Sequence, residues 1–220
     1  MNKEVYFLSG LGADERAFYR LDFDGFSVNH IKWITPKPKE TIENYATRLI
    51  EQIKSEKPIL VGLSFGGIVA VEIAKQMETE KVILISSIKS KSELPLYLKL
   101  LNIIRIHKLI PMDLIKKSSF IIDWFFGVKS ELDKQLLKQI LKDTDVIFLK
   151  WAIDMIAKWK NTYEINNLTH IHGSKDRTFP VKYINSCIKI EKAGHLMILN
   201  KPDEINEILS QQVLECDEEK

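Results

Sequence analysis

Residues 62–67, Gly62-Leu63-Ser64-Phe65-Gly66-Gly67, place a hydroxyl between small residues in the middle of an apolar run. As a bare pattern, Gly-x-Ser-x-Gly also describes a glycine-rich turn with an incidental serine. Context gives it meaning: "PILVGL" before it reads as a strand and "GIVAVEIAKQM" after it as a helix. A tight strand-to-helix turn strains the serine and needs small neighbours, because the two backbones nearly touch. The hydroxyl of Ser64 is expected to project into solvent above a sheet. The helix N-terminus beneath it offers unpaired N–H groups to a developing oxyanion.

A serine attacks a carbonyl only with a base beside it. Of the five histidines, His195 stands in "KAGHLMILNKP", a Gly-His step between a strand and a helix. That loop belongs to the carboxyl end of the sheet, where ligands bind in open α/β folds. His30, in a weak strand, and His107 read as surface or packing residues. His170 and His172 alternate on one strand and share a face, yet no carboxylate or cysteine joins them at ligand spacing, so no metal site is read. The base must also be held in one tautomer. Asp176, in "IHGSKDRTFP", follows a strand at the same sheet edge. The competing acids fit less well: "ISSIKS" carries none, Glu93 lies in an insertion, and Asp203 falls in the first turn of the last helix, where it complements the helix dipole. Backbone N–H groups of Phe65 and of Leu11, in "LSGLGAD", are the candidate oxyanion donors.

These residues require a sheet to bring them together. Strand-like runs at Val5–Gly10, Phe26–Ile34, Pro58–Leu63, Lys81–Ser87, Leu168–His172 and "SCIKIE" alternate with helical patterns over Glu40–Lys54, Gly67–Met77 and Pro202–Leu214. Continuous apolar strands separated by helices imply a mainly parallel, open α/β sheet of about six strands, covered on both faces. Between Ile88 and Thr162 the alternation stops. That stretch holds apolar helical segments, clearest in "LPLYLKLLNIIRIHKLIP" and "LLKQILKDTDVIFLKWAIDMIAKWK".

The 220 residues suit one well-buried core. A net charge of +2, with no basic stripe interleaved with aromatics, gives no reason to expect nucleic acid. No apolar run approaches the ~20 residues that cross a bilayer, and the N-terminus lacks a signal-peptide pattern. Cys187 and Cys216, without Cys-x-x-Cys spacing, fit two free thiols and a cytoplasmic location.

Taken in order, Ser9-Gly10-Leu11-Gly12, the Gly62–Gly67 turn, His172-Gly173-Ser174-Lys175-Asp176 and Gly194-His195 make the chain resemble the α/β-hydrolase superfamily. The resemblance implies a nucleophile–acid–histidine set of Ser64, Asp176 and His195. It also implies a core over residues 1–87 and 163–220, and a helical cap over 88–162. By this resemblance the chain looks like a version that opens at the family's third strand, with Ser9 where many members carry the His of His-Gly-x-Gly. The expected activity is hydrolysis of a small ester or thioester, without a cofactor, since serine, histidine and water suffice. The alternatives are a triad-containing lyase or C–C bond hydrolase, both of which the superfamily contains, or a ligand-binding receptor with the same fold. Trp124 and Trp151 are candidates to line an acyl pocket, with Phe125, Phe126 and Trp159 beside them, although aromatic residues in such helices more often pack on one another. The lysines and arginines of the first half of the insertion read as a solvated surface.

Overall fold

The structure is a computed structural model that describes residues 3–22, 25–104, 127–128 and 130–214. Strands β1 (Lys3–Leu8), β2 (Phe26–Ile31), β3 (Ile59–Leu63), β4 (Lys81–Ile85), β5 (Leu168–Gly173) and β6 (Ile188–Ile190) form one parallel sheet in the order β2-β1-β3-β4-β5-β6. The chain runs outward from the centre in both directions, so the order reverses between β1 and β3. At such a switch point the segments leaving two adjacent strands part to opposite faces and open a crevice at the carboxyl ends. The turn after β1 and the Ser64 turn after β3 both border it.

Helices α1 (Ile42–Ile50), α2 (Phe65–Ala74), α3 (Leu96–Ile104), α4 (Glu131–Asp143), α5 (Val146–Lys158), α6 (Met197–Asn200) and α7 (Pro202–Leu214) complete the described elements. Strand alternation divides the core. Val5, Phe7, Val61, Ile83 and Ile171 face Phe18, Ile205, Leu209 and Val213 on one side. Tyr6, Leu8, Leu60, Val82 and Leu84 face α1, α2 and α5 on the other. Both faces of the central strands are apolar because both are covered, and each fully buried Val, Leu or Ile contributes about 1.5–3 kcal/mol. β2, the weak strand of the sequence, is an edge strand with half-buried residues.

Several boundaries differ from the sequence expectation. α1 ends at Ile50 rather than Lys54. The N–H groups of Gln52 and Ile53 turn back to Leu49 and Ile50, and the Gln52 amide pairs with both backbone groups of Lys32. The apolar run Leu136–Lys160 breaks into two helices at Thr144 and Asp145. Asp145 caps α5 by accepting from the Phe148 N–H at 2.7 Å, and a Thr-Asp step inside a helical pattern is the local sign of such a start. β6 begins at Ile188, so Cys187 lies just outside it; Cys216 and His107 lie outside the described residues.

The approach of α2 to β1 and β3 leaves no space for side chains at the turn. A Cβ on Gly66 would stand 2.2 Å from the Leu8 carbonyl oxygen, and one on Gly62 would stand 2.4 Å from Gly67 Cα. These obstacles are backbone and cannot rotate away. Gly66→Ala is expected to cost at least the ~1–3 kcal/mol typical of overpacking, measured by urea unfolding. Unchanged stability would mean that strand and helix separate easily.

Candidate active site

β3 hydrogen-bonds to β4 up to its last residue, and the Ser64 N–H extends the ladder to Ile85 O at 2.9 Å. The chain then reverses into α2. Ser64 takes φ 52° and ψ −117°, a region that residues with a Cβ rarely adopt. Such a residue costs on the order of 1–3 kcal/mol and persists only where its surroundings hold it. Here the ladder holds one side and the close-packed helix the other. Ser64 is 8% exposed, so the hydroxyl does not project freely into solvent as the sequence suggested. The loop carrying His195 and the turn after β1 close around it: a Cβ on Gly10 would lie 3.4 Å from Ser64 Cβ.

The structure brings Ser64, His195 and Asp176 together. Ser64 Oγ lies 2.9 Å from His195 Nε2, and His195 Nδ1 lies 2.8 Å from Asp176 Oδ2. A carboxylate only accepts, so the proton sits on Nδ1 and Nε2 is free to accept from the hydroxyl. The other oxygen, Oδ1, accepts from the N–H groups of Thr178 and Phe179 at 2.7 and 2.9 Å. Burial alone would raise the Asp176 pKa. Electrostatic attraction to the His195 imidazole and the hydrogen bonds from His172 and His195 outweigh it and hold the carboxyl well below its usual range. The acid and histidine loops are stitched to each other by Lys175 N–H to Ala193 O at 2.8 Å and Ser174 N–H to Ile190 O at 2.9 Å.

Leu11 occupies the turn Gly10–Ala13, closed by Ala13 N–H to Gly10 O at 3.1 Å and by the Ser9 hydroxyl, which donates to Ala13 O at 2.8 Å. The Ser9 hydroxyl thus braces this turn internally. Phe65 is the first residue of α2, where N–H groups lack intrahelical partners. Trp151 is half-buried. It packs on Tyr45 at a ring distance of 4.3 Å and edge-on to Phe65 at 6.1 Å, and donates its indole N–H to Glu40 O at 2.9 Å. Trp159 is buried and donates to Glu72 Oε1 at 2.7 Å. Trp124, Phe125 and Phe126 lie outside the described residues. Asp203 is exposed in the first turn of α7.

A family model described as the Alpha/beta hydrolase family matches residues 1–208. The chain belongs to the α/β-hydrolase family. Among solved structures it is similar to a thermophilic esterase from Thermogutta terrifontis, at 16% identity and a TM-score of 0.72 over 97% of this chain and 90% of that one. It is similar also to a bromoperoxidase from Bacillus anthracis, at 19% identity and a TM-score of 0.69 over 97% and 92%. MenH from S. aureus matches at 18% identity and a TM-score of 0.72 over 99% and 95%. At these identities the likeness is one of fold. No curated protein sequence matches the chain. No described helix is long and apolar enough to cross a membrane.

The remaining histidines of this α/β-hydrolase separate by environment. His30 packs against Phe7 and Phe18. His170 and His172 are buried on β5, with His170 Nε2 3.2 Å from His172 Nδ1. Among the described residues no group of three or more His, Cys, Asp or Glu side chains has the arrangement of a metal site. Burial first, then the neighbouring His172 imidazole and the Lys89 charge, lower the His170 pKa to about 3. In the unfolded chain it returns to about 6.5. Between these values the unfolded chain binds a proton that the folded protein excludes, so stability falls as pH drops through that window. His30, lowered by burial, adds to the trend, and Glu93, raised by burial, opposes it just above its ordinary range. His170→Gln keeps a donor near the Nε2 position and removes the titration. Its loss of stability from pH 7 to 5 is expected to be smaller than the parent's by about 2 kcal/mol, read from urea midpoints. Parallel losses would place the titration elsewhere.

Proposed function

We propose that the protein is a serine hydrolase acting on a small carboxylic ester or thioester. The observation that carries this reading is the unbroken line from the strained Ser64 hydroxyl through His195 to the buried Asp176 carboxylate. Ser64 Oγ attacks the carbonyl carbon while its proton passes to His195 Nε2. The carbonyl oxygen takes the negative charge, facing the N–H groups of Leu11 and Phe65. As the tetrahedral centre collapses, the imidazolium returns the proton to the departing alcohol or thiol, leaving an acyl group on Ser64. Water then attacks with His195 as base, and Ser64 regains its proton when the acid leaves. Asp176 keeps Nδ1 protonated throughout and stabilises the imidazolium.

The helices between β4 and β5 are proposed to form the acyl side of the pocket. Phe148 supports this placement, because its ring packs on both Phe65 and Trp33 beside the crevice. The test is a panel of p-nitrophenyl esters of increasing acyl length beside acyl-CoA thioesters, with mass spectrometry of the fluorophosphonate-treated protein. Turnover together with a single adduct on Ser64 is expected. Ligand binding with neither turnover nor adduct would defeat the hydrolase reading.

A further inference from the structure

Two buried imidazoles stand behind the triad, and the acyl-transfer steps above use neither. His172 is fully buried and His170 nearly so. Their hydrogen-bond partners assign their protons. His172 Nε2 lies 2.7 Å from the Phe179 carbonyl oxygen, which only accepts, so Nε2 carries the proton and Nδ1 is an acceptor. His170 Nε2 lies 3.1 Å from the Ser87 carbonyl oxygen and 3.2 Å from His172 Nδ1, so its proton is shared between two acceptors.

This row leads back to the nucleophile. The Ser87 hydroxyl donates to the Ser64 carbonyl oxygen at 2.7 Å. A Cβ on Gly67 would stand 2.4 Å from Ser87 Oγ, so the bare Cα of Gly67 is what admits that hydroxyl. At the other end, His172 grips the loop that grips the acid. Phe179 donates its backbone N–H to Asp176 Oδ1 and receives His172 Nε2–H on its own carbonyl oxygen. His172 Nε2 also stands 3.4 Å from Asp176 Oδ2, the oxygen facing His195. The contacts therefore close a ring: Ser64, His195, Asp176, His172, His170, Ser87 and back to Ser64.

We propose that His172, backed by His170 and Ser87, is a positioning residue that holds the Asp176 carboxylate in register with His195 and Ser64. The inference rests on the serine-hydrolase reading. Asp176 sits on a loop beyond β5 whose start is stitched to the histidine loop through Ser174 and Lys175. Its carboxylate is oriented by the turn N–H groups of Thr178 and Phe179, and a turn that moves takes the carboxylate with it. Misplacement by about 1 Å costs on the order of 10²-fold in rate. A rigid imidazole on an interior strand of the sheet removes that freedom, and its partner imidazole and Ser87 tie the same strand to the Ser64 turn.

The experiment is a double-mutant cycle on kcat with an ester that the parent hydrolyses. His172→Leu removes the donor at similar volume and is expected to lower kcat by roughly 10–100-fold, with KM changed little. His172→Gln places an amide N–H near the Nε2 position and should recover most of that loss. In an Asp176→Asn background, His172→Leu should cost less than about threefold, because no carboxylate remains to be positioned. Equal costs in the two backgrounds, or full kcat in a folded His172→Leu protein, would overturn the proposal. Should His172→Leu not fold, His172→Asn replaces it: its amide ends near the level of Nδ1 and falls short of Phe179 O. A lower kcat for Asn than for Gln supports the proposal, and equal values overturn it. Loss of the Ser64 adduct and of ester turnover in the parent would instead defeat the underlying hydrolase reading.

Discussion

Ser64→Ala is expected to abolish ester turnover and fluorophosphonate labelling while leaving the protein folded. The only hydrogen bond to the Ser64 side chain among those described is to His195, so removing Oγ leaves the backbone contacts of the turn in place. The main-chain hydrogen bonds to Ile85 O and from Gly67 N–H survive, as does the donation from the Ser87 hydroxyl. On the hydrolase reading, a variant lacking Oγ keeps only the residual acceleration of binding and the proposed oxyanion donors, and the loss in kcat should reach at least ~10⁴-fold. Thermal unfolding should move by no more than a few degrees. A folded Ser64→Ala protein with parental activity, shown free of contaminating esterase, would remove Ser64 from the mechanism.

Asp176→Asn should be nearly as damaging, for a reason visible in the hydrogen bonds. Asp176 Oδ1 accepts from two backbone N–H groups, which oblige the asparagine to keep its carbonyl oxygen on that side. Its NH2 then faces His195 Nδ1 and donates to it. A neutral imidazole that accepts at Nδ1 carries its proton on Nε2, which can no longer accept from Ser64. The expected loss is on the order of 10⁴-fold in kcat, following the protease precedent for the same exchange. Because the loop keeps both backbone bonds, the stability change should be modest. Asp203→Asn, altered at an exposed position in the first turn of α7, should stay near the parent. Parental kcat in Asp176→Asn with a crippled Asp203→Asn would reverse the assignment of the acid.

Much of the fold was legible because apolar periodicity is local. The continuous run at Ile59–Leu63 and the helical pattern after it announce a buried parallel strand and its covering helix, whatever the rest of the chain does. The same locality exposes Ser64: only a strand, a tight turn and a helix make sense of glycines at 62, 66 and 67. Boundaries were less legible where long-range partners decide them. α1 stops at Ile50 where Gln52 is drawn to Lys32, twenty residues away, and α4 and α5 part where Asp145 caps a new helix.

The order of Ser64, Asp176 and His195 at three strand ends was readable along the chain, because parallel strands deliver their following loops to one edge. Their distances were not, since each depends on sheet register, strand order and the stitching of the acid loop to the histidine loop. The burial of Ser64 was misjudged for that reason: the elements that cover it are remote in sequence. His170 and His172 mark the limit most clearly. Their spacing showed that they share a face, a property of any strand. That the face looks onto the Phe179 peptide and Asp176 on one side, and Ser87 on the other, was decided only by tertiary structure, which places β5 beside β4 and folds the loop 174–179 back over it.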